Sequence, residues 1–230
     1  MDILKATTAY ETWLRQRIPL LEADLRLKHE RMSLSPFPFL RATFYRWVQL
    51  WPQFCPDLAD CPVVLAVGDL HVENFGTWRD REGRLIWGVN DFDEVAPMPY
   101  TNDLVRLAVS ATLAISENHL ACDPADACEA ILAGYAEGLV AGGRPFVLAE
   151  QHGWLRYLAT SGLRDPVAFW QKLNQLQTVR KGVPAGVKGG LNQTLPETNL
   201  PVRVVHRQAG LGSLGRRRFV ALAQWRSGWV

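Results

Sequence analysis

The sequence lacks the features of a secreted, membrane-spanning or zinc-binding protein. None of its four cysteines forms a C-x-x-C pair, and no histidine has a spacing that would complete a zinc site with them. The N-terminus has no signal-peptide pattern, and no apolar run approaches the roughly 20 residues that cross a bilayer. We therefore expect free thiols, a cytoplasmic protein and no membrane partner.

A strong charge of either sign is also missing. The 230 residues have a formal net charge of +2, with 48% hydrophobic and 21% charged residues, which is typical of a globular protein. Lysine and arginine are dispersed, whereas a nucleic-acid binder usually concentrates them on one face. We therefore expect no nucleic-acid partner, while the oligomeric state stays open.

Helical periodicity dominates the first 180 residues. Pro19 divides the apolar pattern of residues 3–32 into two helices, and Pro36 begins a third that we expect to stop near Pro52. Proline after a capping aspartate is a typical helix start. The other predicted helices cover 102–116, 124–140 after Asp123, 146–160, and 166–179 after Asp165.

Short strands interrupt this helical pattern. The apolar run 63–67 predicts a buried strand. The predicted hairpins join 75–78 to 85–89 and 202–206 to 218–225.

These elements predict an α+β protein in three parts. Residues 1–180 would be a mainly helical catalytic domain, and 181–201, with four glycines and three prolines, would be a linker or long loop. Residues 202–230 would be a partial glycine-loop hairpin.

The loop 68–76, GDLHVENFG, follows the predicted buried strand. Phosphoryl transfer needs a carboxylate that orients or deprotonates the attacking hydroxyl, and oxygen ligands for the Mg²⁺ on the phosphates of ATP. Asp69 and Asn74 have the D-x-x-x-x-N spacing of a kinase catalytic loop, and Asp91 follows in NDFDE one hairpin later. The spacing alone is common in turns and caps, so the order of the motifs carries the prediction of an Mg²⁺- and ATP-dependent phosphotransferase.

Three motifs in order resemble known families. GDLHVEN at 68–74, NDFDE at 90–94 and NDLVRLA at 102–108 are similar to the series found in aminoglycoside and choline kinase relatives. They are more similar still to the bacterial family named domain of unknown function 2252, with its GD-x-H-x-E-N-F-G, N-D-F-D-E and D-L-x-R-L-A-x-S motifs. SPFPFLR at 35–41 also resembles that family. The resemblance implies a protein-kinase-like fold whose substrate is unknown.

The resemblance also implies roles for the matched residues. Asp69 would be the base or the substrate-orienting carboxylate. The metal ligands would be Asn74 and Asp91, with Asp93 as a further carboxylate on the metal.

Two more residues would support the catalytic loop. His71 belongs to the catalytic motif and would shape the loop. Asp103 would tether the loop from a helix N-terminus without touching substrate, although an aspartate there is commonly a simple cap.

A glycine-rich loop, GLGSLG at 210–215, lies between the last two predicted strands. A dinucleotide-binding G-x-G-x-x-G opens a helix, whereas strand, glycine loop and strand is the kinase arrangement that covers nucleotide phosphates. The alternative is a tight hairpin with glycines for geometry. The predicted ATP-binding residues are Gly210, Gly212, Ser213 and Gly215.

This glycine loop follows the catalytic loop, which resembles a circular permutation of the kinase plan. No lysine occurs after Lys188, so the phosphate-binding lysine expected on the next strand is missing. We therefore expect a truncated form or a fragment that is inactive alone. Lys28 or one of the arginines at 216–218 could replace the missing cation, but the simpler expectation for each is a solvated surface charge.

Two other functions fit parts of the sequence. Asp91 and Asp93 also fit the D-x-D of a metal-dependent sugar-nucleotide glycosyltransferase, which leaves Asp69 and the glycine loop without a role. A kinase-like scaffold that binds a partner without catalysis fits all the motifs. His71 lies in an H-x-E, but the P-C-x-x-C of zinc deaminases is absent. The phosphate acceptor, and phosphoryl versus adenylyl transfer, stay open.

Overall fold

The computed structural model describes residues 1–161, 165–198 and 200–230. It is a mixed α/β protein in which helices predominate and the strands form small antiparallel sheets, so the α+β prediction is confirmed at this level. The helices are α1 (Ile3–Arg15), α2 (Glu22–Met32), α3 (Pro36–Ala42), α4 (Phe44–Phe54), α5 (Pro56–Ala59), α6 (Tyr100–Glu117), α7 (Pro124–Val140), α8 (Leu148–Gln151), α9 (Gly153–Thr160), α10 (Pro166–Asn174) and α11 (Ala185–Gln193). The strands are β1 (Val63–Ala66), β2 (Phe75–Arg79), β3 (Leu85–Val89), β4 (Ala96–Pro99), β5 (Phe146–Val147), β6 (Val202–His206), β7 (Phe219–Trp225) and β8 (Gly228–Trp229).

The chain divides into two compact units. The first contains residues 1–11 and 29–161, and the second contains 12–28 and 162–230. The first unit holds the β1–β4 ribbon and the β2–β3–β5 sheet, and the second holds the β6–β7–β8 sheet. The predicted domain boundaries at 180 and 201 do not coincide with this division.

Helix α6 of the first unit buries polar side chains. Asn102, Arg106 and Ser110 are almost inaccessible to solvent, and their spacing of four residues places them on one helix face. Buried helix faces are usually apolar, and a buried polar group is stable only with hydrogen-bond partners. We therefore expect these side chains to form hydrogen bonds with the segment that packs against this face.

The second unit has its own apolar core. Leu173 from α10 packs with Val205 of β6 and Leu222 of β7, and further apolar side chains surround them. Strands β6 and β7 pair antiparallel with Val205 opposite Val220. The predicted second hairpin is therefore confirmed.

Most of the predicted helix starts are confirmed. α1 and α2 are separate helices on either side of Pro19. Asp123 caps α7 by accepting the Ala125 N–H at 2.7 Å, and Asp165 caps α10 by accepting the N–H groups of Val167 and Ala168.

The predicted third helix is present as two helices. It is divided at Thr43 into α3 and α4, because Thr43 has a non-helical φ of −126° and ends the first of them. The predicted stop near Pro52 is confirmed, since Pro52 lies close to the end of α4 at Phe54. The Cys55 N–H closes this end by donating to the Trp51 carbonyl at 2.9 Å.

The predicted helix over 146–160 is wrong at its start. Residues 146 and 147 form β5, paired with Trp87 and Ile86 of β3, and α8 and α9 follow with a break at His152. The edge of β3 that the predicted hairpin leaves free thus pairs with a third strand, β5. Pairing of this kind is a tertiary interaction that helical periodicity does not reveal.

Two predicted C-terminal segments also differ. The helix predicted over 166–179 ends at Asn174, because Val179 donates its N–H to the Val204 carbonyl at 2.8 Å and so belongs to the edge of β6. The predicted linker over 181–201 contains α11.

The strand predicted as buried, β1, is mostly exposed. Val63 and Leu65 are 64% and 76% accessible, and only Ala66 of this strand is buried. Among the described strands, β1 pairs with β4 alone, so its position is at the edge of the unit. The strand still leads directly into the loop 68–76.

Two negative findings concern the described residues. All four cysteines lie within the described ranges, and each has a free thiol, as expected. No helix in the described ranges has the length and apolarity needed to cross a membrane.

Candidate active site

Asp103 holds the beginning of the loop 68–76. Its carboxylate accepts the N–H of Val67 at 2.7 Å and the N–H of Gly68 at 2.9 Å. Asp103 lies in the first turn of α6, where the helix dipole favours a negative charge. The tethering role implied by the resemblance is therefore what the geometry shows.

Arg106, one helical turn further along α6, holds the side chain of Asp69. Its Nε donates to Asp69 Oδ1 at 2.8 Å, and its Nη2 contacts the same oxygen. Nη2 also donates to the Leu40 carbonyl at 2.8 Å. The guanidinium is completely buried, with the rings of Phe44 and Trp47 each 5.0 Å away. Asp69 is thus fixed by a rigid cation.

The middle of the loop is held by a third side chain of α6 and by its own polar groups. Ser110 accepts the N–H of Val72 at 3.1 Å. His71 Nδ1 accepts the N–H of Glu73 at 3.2 Å, and the His71 N–H donates to Asn74 Oδ1 at 3.2 Å. His71 therefore shapes the loop, and one lone pair of the Asn74 amide oxygen is used inside the loop.

Both glycines of the loop lie against the NDFDE motif at 90–94. A Cβ on Gly68 would overlap the Glu94 carbonyl, and a Cβ on Gly76 would overlap the Asn90 side chain. The Asn90 N–H also donates to the Asn74 carbonyl at 3.0 Å. The two motifs therefore pack side by side, and glycine is required where they meet.

The electrostatic environment raises the proton affinity of Asp69. Burial raises the pKa of its carboxyl to about 6, the Arg106 guanidinium partly offsets this, and the negative charges of Glu94 and Asp91 raise it further. Asp69 is therefore ionised at neutral pH and is a stronger base than an ordinary aspartate.

His71 is affected in the opposite direction. Burial, reinforced by the positive charges of Arg41 and Arg106, lowers the pKa of His71 to about 3. The imidazole is neutral near pH 7, which agrees with an unprotonated Nδ1 that accepts a hydrogen bond.

The predicted metal ligands differ in exposure, and Asn74 is buried. Asp91 and Asp93 are exposed, and Asp91 Oδ1 accepts the Asp93 N–H at 3.4 Å. Within the described ranges, no three His, Cys, Asp or Glu side chains are close enough to hold a metal ion. The carboxylate oxygens of Asp91 and Asp93 and the amide oxygen of Asn74 are of the chemical type that Mg²⁺ prefers.

The contacts of the SPFPFLR motif at 35–41 were not predicted, and they join the motif to the end of α6 and to the loop. Ser35 Oγ and the Phe37 N–H donate to the Glu117 carboxylate at 2.8 and 2.7 Å, and Arg41 forms an ion pair with Glu73. These residues explain the SPFPFLR motif. Arg106 was missed too, although the family pattern D-L-x-R-L-A-x-S spaces its Asp, Arg and Ser as one helix face.

The glycine loop at 210–215 belongs to the second unit and joins β6 to β7, as predicted. Gly210 and Gly215 have φ values of +71° and +97°, which favour glycine. Leu211 and Leu214 are buried, and the Ser213 hydroxyl donates back to the Ala209 carbonyl at 3.2 Å. The loop is thus internally bonded, and its phosphate contacts stay a prediction.

Helix α2 packs against this glycine loop through Leu25 and Lys28. Leu25 lies against Gly215, where an added Cβ would come within 2.5 Å of its Cδ2. Lys28 is buried and donates from Nζ to the Gly212 carbonyl at 2.9 Å. The expectation that Lys28 is a solvated surface charge is therefore wrong. Its buried ammonium group is stabilised by a hydrogen bond to the loop carbonyl.

Comparison with known proteins identifies the family. Residues 17–152 match the profile of the family described as uncharacterized protein conserved in bacteria (DUF2252). The match covers more than half of the chain and includes every motif of the first unit, so the chain belongs to this bacterial family. No curated protein and no solved structure matches the chain significantly.

Proposed function

We propose that the first unit contains a kinase-like phosphotransferase site in which Asp69 activates a hydroxyl acceptor. The observation that carries the proposal is the fixation of Asp69: α6 holds the backbone before it through Asp103 and its carboxylate through Arg106. A catalytic carboxylate needs this kind of preorganised position. The kinase-like fold, the cytoplasmic location and the ATP dependence are parts of the same proposal.

The pKa of Asp69 suits a general base. A carboxylate with a pKa of about 6 is ionised at neutral pH and accepts a proton more readily than one near 4. In the proposed reaction the acceptor hydroxyl gives its proton to Asp69, its oxygen bonds to the γ-phosphorus of ATP, and ADP leaves with the electrons of the broken P–O bond.

The metal part of the proposal depends on the NDFDE motif. Asp91 and Asp93, with the unused lone pair of Asn74, would hold Mg²⁺, which neutralises phosphate charge when it is bound. The nucleotide-binding role of Gly210, Gly212, Ser213 and Gly215 is proposed from their order in the sequence.

Calorimetric titration of the purified chain with Mg·ATP tests the proposal. We expect measurable binding that Asp91→Ala abolishes and that the exposed-residue control Asp126→Ala retains. Asp69→Asn should retain ATP binding, because it keeps an oxygen for the Arg106 contact. If the wild-type chain turns over ATP despite the missing lysine, Asp69→Asn should abolish that turnover. A turnover rate that rises with pH through about 6 would identify Asp69 as the base.

The same titration distinguishes the two alternatives. The scaffold is favoured by one observation, the use of Asn74 Oδ1 in the loop itself, and it predicts no nucleotide binding. A glycosyltransferase predicts that UDP-glucose binds more tightly than ATP. Either result, obtained with a folded wild-type chain, contradicts the phosphotransferase proposal.

A further inference from the structure

The second unit contains a cavity of about 310 Å³ with walls from α11, β6, β7 and residues 178–183. This volume is at the lower end of the range for small-molecule sites. The cavity is separate from the glycine loop, since no residue of 210–215 lines it. No motif in the sequence pointed to it.

The positions of the lining residues follow from the periodicity of the elements. Lys188, Leu191 and Asn192 lie three and four residues apart, so they share one face of α11. On β6, Val204 lines the cavity, whereas the next residue, Val205, is completely buried in the apolar core with α10. One face of the β6–β7 hairpin thus builds the core and the other builds the cavity.

The fourth wall is held in place by main-chain pairing. Thr178 forms a bridge with Val205, and the Val179 N–H donates to the Val204 carbonyl at 2.8 Å. These bonds position Arg180 and Val183, which follow directly and line the cavity. The wall is therefore part of the sheet edge.

The lining combines an apolar floor with two cations. Val183, Leu191 and Val204 supply apolar surface, and Arg180 and Lys188 supply positive charge, while no acidic side chain lines the cavity. Neither cation forms an ion pair with any residue in the described ranges. Two like charges at one concave surface produce a positive potential that attracts an anion.

The local sequence does not supply that anion. Asp165 and Glu197 are the only acidic residues from 162 onward, against eleven lysines and arginines. Asp165 caps α10, and Glu197 accepts the Trp225 indole N–H at 2.8 Å. Both carboxylates therefore have other partners. The two other acidic residues of this unit do too, since Glu22 pairs with Arg15 and Asp24 bonds to His206 and Gln208. The positive charge of the cavity is thus not offset by an acidic side chain in its lining.

We propose that this cavity binds a small amphipathic organic anion. Its acidic group, a phosphate or a carboxylate, contacts Arg180 and Lys188, and its apolar body packs on Val183, Leu191 and Val204. Asn192 adds a polar group that fixes the orientation of the ligand. The proposal is independent of the phosphotransferase site.

Titration of the full chain with three probes tests this inference. Phenyl phosphate and hexanoate each carry an acidic group on an apolar body, and inorganic phosphate carries the charge alone. We expect at least one of the first two to bind more tightly than inorganic phosphate, and the tighter of the two identifies the acidic group. Binding should weaken at high salt.

Variants locate the binding at the cavity. Replacing both cations, in Arg180→Gln/Lys188→Gln, should weaken binding by about tenfold or more, with an unchanged circular dichroism melting curve because both residues are exposed. Lys181→Gln is the matched control, since Lys181 is an exposed neighbour that does not line the cavity. Asp91→Ala should also leave the affinity unchanged.

Three outcomes would overturn the inference. They are equal affinity for inorganic phosphate and the amphipathic probes, unchanged affinity in the double variant, and an equal loss in Lys181→Gln. Loss of probe binding in Asp91→Ala would assign the binding to the first unit instead.

Discussion

The loop at 68–76 and the glycine loop at 210–215 follow strands in different units and are supported in different ways. Polar side chains of α6 hold the first: Asp103 bonds to main-chain N–H groups and Arg106 bonds to the Asp69 carboxylate. The second is held mainly by apolar packing, with Leu211 and Leu214 buried and Leu25 against Gly215. In the first loop both the backbone and the Asp69 side chain are fixed, whereas in the second the apolar packing fixes the backbone.

This difference has a physical consequence for each loop. Directional hydrogen bonds to buried groups are costly to leave incomplete, so changes at the loop 68–76 should have large and pH-dependent effects. Side-chain packing can relax, so changes at the glycine loop should cost less. The following experiments test this contrast, beginning with the largest expected effect.

Removing the buried cation should be the most damaging change. Arg106→Met leaves the Asp69 carboxylate buried without its partner, and we expect a loss of about 3–5 kcal/mol in the free energy of unfolding at pH 7.5. Chemical denaturation measures this loss, with the exposed Lys181→Met as the control. At pH 4.5 the loss should shrink, because Asp69 is then protonated; an equal loss at both pH values would show that its charge is not the cause.

Paired glycine substitutions compare the two loops directly. Gly68 and Gly215 both have positive φ values, which cost an alanine about 1–2 kcal/mol. At Gly68 the new Cβ also meets the Glu94 main chain, whereas at Gly215 it meets the flexible Leu25 side chain. We expect unfolding to become easier by about 3 kcal/mol for Gly68→Ala and about 2 kcal/mol for Gly215→Ala.

Gly228→Ala is the control for this pair, because no described atom lies within 4 Å of the added Cβ. It should change the free energy of unfolding by less than about 0.5 kcal/mol. A larger loss at Gly215 than at Gly68 would reverse the proposed contrast between the loops.

A smaller effect is expected from weakening the tether. Asp103→Asn keeps one oxygen acceptor but cannot accept both the Val67 and the Gly68 N–H groups, so it should cost about 1 kcal/mol. Hydrogen exchange should accelerate at one or both of these amides. Asp126→Asn, in the first turn of α7, should leave their exchange rates unchanged, and unaltered exchange in Asp103→Asn would argue against the tether.

The smallest expected effect concerns the charge of Asp91 acting on Asp69. Because burial and like charges raise the folded-state pKa of Asp69 from 3.8 to about 6, its contribution to stability falls as the pH rises across that interval, by up to about 3 kcal/mol. Asp91→Asn removes one like charge, so the pKa of Asp69 should decrease. The pH-dependent loss of stability that Asp69 causes should then become smaller.

Carbon-13 detection of the Asp69 carboxyl during a pH titration measures this change directly. At pH 5.5 the ionised fraction of Asp69 should increase by less than about threefold. Asp126→Asn, a neutralisation outside the site, should leave the titration midpoint in place. An increase in the pKa of Asp69 in Asp91→Asn would contradict the assigned repulsion.

Local sequence patterns predicted the parts of the fold that local physics controls. The caps at Asp123 and Asp165, the break near Pro19 and the hairpin of β2 with β3 depend on neighbouring residues, and each is present. The spacing of the motifs also predicted that 68–76 and 90–94 belong to one region.

The errors arise where distant segments meet. Strand β5 exists because the edge of β3 was open, and α10 ends early because Val179 pairs with Val204. The role of Arg106 likewise depends on the chain bringing α6 under the loop. Helical periodicity identifies the residues that share a helix face but not the segment that packs against that face, so the role of Arg106 was not predicted.

Trp47 makes this region observable. Its indole N–H donates to Asn102 at 2.8 Å, and its ring lies beside the Arg106 guanidinium. Trp47 therefore contacts the cation that holds Asp69, while its own hydrogen bond goes to Asn102. A fluorine label on this ring would provide a spectroscopic probe whose resonance follows ionisation of the aspartate, and a second signal would appear if a ligand displaced the carboxylate.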